Sequence, residues 1–165
     1  TGKRFACDHE GVTPDVLVLG KALGAGLLPV SAVLASNEVM GVFSPGDHGS
    51  TFGGNPLACA VARAALRVLE RDRLAERAAR LGAAFMERLR GLGSPKVAEV
   101  RGRGLLIGIA LVPEAGPARR YAHRLMEEGV LCKDTVEHVL RIAPPLVIEP
   151  QDLDWAFDRI AKVLR

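Results

Sequence analysis

The sequence predicts an α/β chain that closes in a small α+β part, and three observations carry this. Runs of strand length, apolar but for Ser31 and Arg141, occur at residues 16–19, 30–35 and 139–142. Four longer stretches, from residue 57, 74, 118 and 151, keep apolar residues at helical spacing. Glycines and prolines separate these segments into short connections.

Residues 1–15 read as a polar loop, with Pro14-Asp15 as a turn signal before Val16-Leu17-Val18-Leu19. Four consecutive apolar residues predict a short strand buried on both faces. A glycine-rich bend follows Lys21 and leads to a second strand over 30–35, then a short helical turn at Asn37-Glu38-Val39-Met40. Asn55 is a good helix cap and Pro56 suits the first helical position, where its missing N–H is no loss. The helix they start, residues 57–69, is small or apolar almost all round, which predicts burial in a larger body or a subunit interface. The next helix sets Leu74, Ala78, Leu81, Phe85 and Leu89 on one face, and Gly91, Gly93 and Pro95 end it. Residues 97–111 read as strand, glycine-rich turn, strand. A helix over 118–128 stops at Gly129, strands are expected at 130–133 and 139–142, and residues 151–164 form a last amphipathic helix.

Composition narrows the function classes. A 165-residue chain with 48% hydrophobic residues can bury a core. Its net charge of +3, from 22 basic and 19 acidic residues, is spread out with no basic-aromatic interleaving, so nucleic acid is not the expected partner. No apolar run is long enough to span a bilayer. Cys7, Cys59 and Cys132 form an odd set without metal spacing, which predicts free thiols and a cytoplasmic location. The Cys7-Asp8-His9-Glu10 cluster lacks the i, i+4 pair of a zinc helix, so no metal is expected.

Lys21 ends the first strand between Gly20 and the glycines at 24 and 26. Burial disfavours the charged amine, so a lysine at the mouth of an apolar strand is drawn toward the neutral form that attacks carbonyls. A strand-ending lysine also reaches solvent through its flexible stem, and spacing alone favours that plainer reading. Two phosphate motifs fail here. Ala22 follows Lys21 where a Walker loop needs Ser or Thr, and Pro29 stands where a dinucleotide fingerprint needs its third glycine.

The stretch from Pro45 to Pro56 is rich in glycine and carries Ser50 and Thr51 ahead of a capped helix. Free N–H groups and positive dipole at that helix start, with two hydroxyls nearby, make a plausible phosphate cradle. An ordinary glycine-rich loop explains the same residues. Gly102-Arg103-Gly104 has Ile107 in place of a third glycine, and a structural turn is expected there. Arg141, within Val139-Leu140-Arg141-Ile142-Ala143-Pro144-Pro145, is a permanent charge in an apolar setting and needs a carboxylate. That partner is either a ligand or an acid of this chain.

The run Phe5-Ala6-Cys7-Asp8-His9-Glu10-Gly11-Val12-Thr13-Pro14-Asp15, the Leu19-Gly20-Lys21-Ala22-Leu23-Gly24 segment and Pro29-Val30-Ser31-Ala32-Val33 closely resemble class III aminotransferases that use pyridoxal phosphate. His48-Gly49-Ser50-Thr51-Phe52-Gly53-Gly54-Asn55-Pro56 matches a second motif of that family. The resemblance runs from Thr1 to Arg165 and corresponds to the C-terminal part of such an enzyme. It implies a fold-type I transferase, with residues 1–72 the end of the large cofactor-binding domain and 73–165 a small α+β C-terminal domain. Lys21 inherits the Schiff-base role with pyridoxal 5'-phosphate. Ser50 and Thr51 inherit contacts to the cofactor, Thr51 to the phosphate of the neighbouring subunit. Arg141, in the matching Arg-x-Ala-Pro-Pro motif, inherits the substrate carboxylate.

The implied reaction transfers the δ-amino group of ornithine to 2-oxoglutarate, with acetylornithine or another ω-amino acid as the alternative donor. A homodimer or higher oligomer is the implied assembly. By the same resemblance, other parts of the site lie upstream of Thr1, so weak cofactor capture is expected of the 165 residues alone. A reading from another class is a non-catalytic remnant or interaction module, whose strand 16–19 would present an unpaired edge.

Overall fold

The computed structural model describes residues 1–165, which form two compact units: Ala6–Arg73, and Thr1–Phe5 together with Leu74–Arg165. In the first, the opening loop contains a 3-10 turn, Ala6–His9. Strand β1 (Val16–Leu19) pairs antiparallel with β2 (Ala32–Ala35), with Leu19 opposite Ala32. The second strand therefore starts two residues later than its apolar run suggests. β1 ends at Leu19, so Val30 and Ser31 have no strand to pair with.

The expected burial of β1 on both faces is not met: Val16 and Val18 are 45% and 69% exposed. Two strands make the whole sheet, and only Leu17 and Leu19 of β1 are half-buried. Helix α1 (Asn37–Met40) is capped by the Ser36 hydroxyl, which accepts the Val39 N–H at 3.3 Å. Helix α2 (Pro56–Arg71) starts where Asn55 and Pro56 predict. Only Ala62 of it is fully buried, and Leu57, Leu66 and Val68 face solvent.

The second unit packs three helices on one face of an antiparallel sheet. Its strands β3 (Val97–Arg103), β4 (Leu106–Leu111), β5 (Lys133–Thr135) and β6 (Val139–Ile142) lie in the order β3-β4-β6-β5. Alternation decides the faces: Val100, Ile107, Ile109, Leu140 and Ile142 point into the core, while Arg101, Gly108 and Arg141 point the other way. Helices α3 (Leu74–Arg90), α4 (Ala118–Glu127) and α5 (Pro150–Leu164) close the core with Phe85, Leu89, Tyr121, Leu125, Ile160 and Leu164. The buried Tyr121 hydroxyl donates to the Ala115 carbonyl at 3.0 Å, so its burial leaves no polar atom unpaired.

β5 corrects the expected strand at 130–133. The Val130 N–H donates to the Leu125 carbonyl at 2.8 Å and the Gly129 N–H to Met126 at 3.0 Å, with Gly129 at φ +87°. That is a Schellman termination of α4. Val130 is spent on capping the helix, and pairing with β6 begins only at Lys133.

Close approach defines one glycine here. A Cβ on Gly82 of α3 would stand 1.8 Å from the Gly104 carbonyl oxygen in the β3–β4 turn, so helix and turn touch backbone to backbone. Near the end of β3, Gly102 likewise tolerates no side chain, since a Cβ there would meet the Leu106 oxygen at 2.4 Å. The turn expected at 102–104 is shorter than that: Gly102 and Arg103 are the last paired residues of β3, opposite Ile107 and Leu106, and only Gly104-Leu105 turns. On the far side, Arg77 of α3 donates to the Ile148 carbonyl at 2.7 Å and ties the segment after β6 to the helix.

Cys132 packs against this core, and burial together with the nearby Asp134 charge pushes its thiol up to about 11. The folded state therefore prefers the protonated form. As pH rises from about 9, the unfolded chain ionises first, and the contribution of this thiol to stability is lost between about 9 and about 11. Iodoacetamide at pH 8 should alkylate exposed Cys59 well before Cys132. Peptide mapping that finds Cys132 modified first in the native protein would contradict this placement.

Candidate functional site

One residue after β1, beyond extended Gly20, Lys21 opens a 3-10 turn, Lys21–Gly24, which Ala25 closes in the left-handed region. Lys21 itself has φ +48°. A residue with a Cβ is strained there by about 1–2 kcal/mol, and such strain collects where a side chain must be aimed. The turn directs Lys21 into a cleft of about 500 Å³ lined also by Pro29, Val30, Ser31, Ser50 and Phe52, by Gly53-Gly54-Asn55 ahead of α2, and by Ala58 and Cys59 on it.

The cleft contains one cation and no carboxylate. Its chemistry suits an anion carrying an aldehyde: an amine, two serine hydroxyls and the positive end of α2. Lys21 is exposed, so the burial expected at the mouth of the strand is not met.

The phosphate cradle differs from its sequence expectation. Asn55 Oδ1 accepts the N–H groups of both Leu57, at 2.9 Å, and Ala58, at 3.1 Å. Pro56 has no N–H, and the Cys59 N–H donates to the Asn55 carbonyl. The cap thus uses the donors expected to be free, and the helix offers an anion its dipole only. Donors remain one step upstream in the loop. The Gly53 and Asn55 N–H groups are bonded within it, to the Ser50 and Phe52 carbonyls, whereas those of Thr51, Phe52 and Gly54 make no backbone bond.

Ser50 lines the cleft beside Lys21, and Thr51 is exposed in the same loop without lining it. Sequence reasoning did not single out Ser31 or Cys59. Cys59 lies four residues after Asn55 on α2, so helical spacing was a usable signal. Ser31 arrives through the β1–β2 return, which sets its Cβ 3.8 Å from where a Gly20 side chain would begin.

Arg141 belongs to the other unit. It is exposed on β6 and lines a groove of about 460 Å³ with Arg101, Gly108, Thr135 and Val139 among its walls. The apolar setting read from its neighbours is an effect of alternation: Leu140 and Ile142 face the core, and Arg141 does not. Its basic neighbours are occupied, Arg101 by Glu99 at 2.5 Å and Lys133 by Asp134 at 3.5 Å. The Arg141 side chain makes neither an ion pair nor a hydrogen bond with this chain, so the internal salt bridge is absent.

The model of the family described as aminotransferase class-III matches residues 1–164. The chain belongs to that family. Among class III relatives, the ornithine aminotransferase of Bacillus subtilis is 56% identical over 165 residues, which is 100% of this chain and 40% of that protein. The ornithine aminotransferase of Bacillus cereus (strain Q1) is 57% identical over 99% of this chain and 41% of its own length. The chain therefore spans about 40% of the length of these curated relatives.

Two solved class III structures superpose over 99% of the chain. The ornithine aminotransferase of Toxoplasma gondii, described with partial occupancy of PLP at its active site, gives a TM-score of 0.94 at 48% identity over 40% of that structure. The acetylornithine aminotransferase of Elizabethkingia anophelis gives 0.91 at 47% identity over 42%. The chain has the fold of the corresponding part of these transferases.

Proposed function

We propose that this chain supplies the cofactor-joining lysine and a substrate-binding arginine of a pyridoxal-phosphate-dependent aminotransferase that moves the δ-amino group of ornithine to 2-oxoglutarate. The observation that carries the reading is Lys21, the one amine in an acid-free cleft, held there on strained backbone. Identity of 56% to an ornithine aminotransferase along the full chain supports the donor. Residues 1–72 would close the large cofactor-binding domain, and 73–165 form the small C-terminal one.

Pyridoxal phosphate supplies, when bound, an aldehyde that captures amines and a ring that draws electrons from the substrate carbon. The chain's own part is binding and proton handling. Lys21 Nζ holds the aldehyde and, once released, takes and returns a proton as general base. Ser50 and the bond-free loop amides receive phosphate, and Thr51 serves the phosphate of a neighbouring subunit. Arg141, unpaired and exposed, receives a substrate carboxylate through its two-pronged guanidinium.

The exposed apolar residues of α2 support a dimer or higher oligomer, and three free thiols support a cytoplasmic location. Acetylornithine is the second reading for the donor, because the acetylornithine enzyme of Elizabethkingia anophelis is nearly as similar as the Toxoplasma gondii ornithine enzyme.

The test supplies the chain with the upstream portion of such an enzyme, adds cofactor and compares ornithine with acetylornithine as donors to 2-oxoglutarate. Ornithine turnover exceeding acetylornithine turnover is expected, and the reverse order assigns the second donor. Absence of transamination with either would overturn the reading. In the same protein, Arg141→Ala should raise KM for the carboxylate substrates about 10–100-fold, the weight of one charge-assisted contact of roughly 1.5–3 kcal/mol. Stability should change by less than about 0.5 kcal/mol, since the side chain is exposed and unpaired. Loss of folding without a change in KM would make the arginine structural.

A further inference from the structure

Gly108 is a glycine in the middle of a strand that the fold itself does not require. It lies in β4 directly opposite Arg101 on β3 and Arg141 on β6, so the three share one face of the sheet. Its backbone is not in the left-handed region. A Cβ there would meet Val139 Cγ1 at 3.5 Å and Arg101 atoms at 3.8 and 3.9 Å, all ordinary contacts. Gly82 and Gly102 of the same unit are different, since a Cβ at either would overlap backbone oxygen.

Glycine inside a strand is less stable than alanine, and where neither φ nor packing demands it, close approach by another molecule is a reason for it to stand there. The groove at this position supplies the reason. It is lined by Gly108 and Arg141 together, and Arg141 is the arginine there without a partner in the chain's own ion pairs.

We propose that Gly108 is a specificity-determining position that keeps the approach to Arg141 open for a carboxylate-bearing substrate. The missing side chain leaves a notch between the Arg101 stem and Arg141. A planar carboxylate of an amino or oxo acid reaches the Arg141 guanidinium across that notch, and a side chain at 108 would stand in its path. The inference rests on the proposed role of Arg141, and Gly108 acts by shape alone.

The experiment uses Gly108→Ala and Gly108→Leu in the cofactor-loaded protein completed with the upstream portion of such an enzyme. Gly108→Leu should raise KM for 2-oxoglutarate about tenfold or more while the adduct at Lys21 forms as in the parent, and Gly108→Ala should fall between the two. Both variants should unfold at a denaturant concentration equal to or above that of the parent. An unchanged KM in Gly108→Leu overturns the proposal. So does a lowered unfolding midpoint in Gly108→Ala, which would make the glycine structural.

A second arm separates this inference from the proposed function. In the 165-residue chain alone, 2-oxoglutarate should shift the Gly108 and Arg141 amide resonances, and Gly108→Leu should weaken that binding about tenfold. Binding without transamination in the completed protein would remove the proposed function and keep the notch. Equal binding by parent and Gly108→Leu, or none by the parent, would remove the notch.

Discussion

Borohydride reduction of the completed, cofactor-loaded protein should fix the cofactor on Lys21, and Lys21→Arg should lose that adduct together with transamination by ~10³-fold or more. Arginine keeps the positive charge and length, but its guanidinium stays protonated and cannot act as nucleophile or base. A loss of this size therefore reports chemistry, since the charge at the cleft is unchanged. Lys21→Gly is the folding control. It removes the strain of φ +48°, about 1–2 kcal/mol, partly offset by the greater freedom of glycine in the unfolded chain. The expected result is a protein at least as stable as the parent and without activity. Mass spectrometry that places the adduct on Lys3, Lys96, Lys133 or Lys162 would remove the basis of the functional reading.

Gly82→Ala should destabilise the Leu74–Arg165 unit by about 3 kcal/mol or more. A single methyl group at 82 would lie 1.8 Å from the Gly104 carbonyl oxygen, and the atom it meets is backbone of a tight turn. Neither side can yield cheaply: α3 is fixed by Phe85 and Leu89 in the core, and the turn by the β3–β4 ladder. Overpacking of this kind usually costs about 1–3 kcal/mol, and rigid backbone on both sides places this case at the upper end or beyond. Trp155, the single tryptophan, lies on α5 of the same unit and gives a fluorescence readout of urea unfolding. Gly108→Ala, whose added atom meets only ordinary contacts, is the comparison. A loss at Gly82 below about 1 kcal/mol would show that helix and turn separate more easily than their packing implies.

Much of the fold was legible because its signals are local. Asn55-Pro56 marked the start of α2 and Gly129 the stop of α4, since capping geometry and permitted φ depend on a few adjacent residues. The strand expected at 130–133 shows the limit of that legibility. Val130 is apolar and buried, as a strand residue would be, but its N–H completes the helix cap. The phosphate cradle shows another: Asn55 identifies a helix start and by the same hydrogen bonds removes the amides expected to bind an anion.

The sequence by itself determined the identities that chemistry needs: a lysine ending a strand among glycines, hydroxyls ahead of a capped helix, and an arginine before Ala143-Pro144-Pro145. Only the tertiary structure decided what each can reach. Register across β3, β4 and β6 sets Gly108 beside Arg141 and turns both away from the core, and the salt bridges of Arg101 and Lys133 leave Arg141 unpaired. Cross-strand pairing joins residues remote in the chain, and a shift of one residue in register would send Arg141 to the opposite face. Capping and backbone strain are settled between neighbours, whereas faces and partners are settled by pairing and packing over the whole unit.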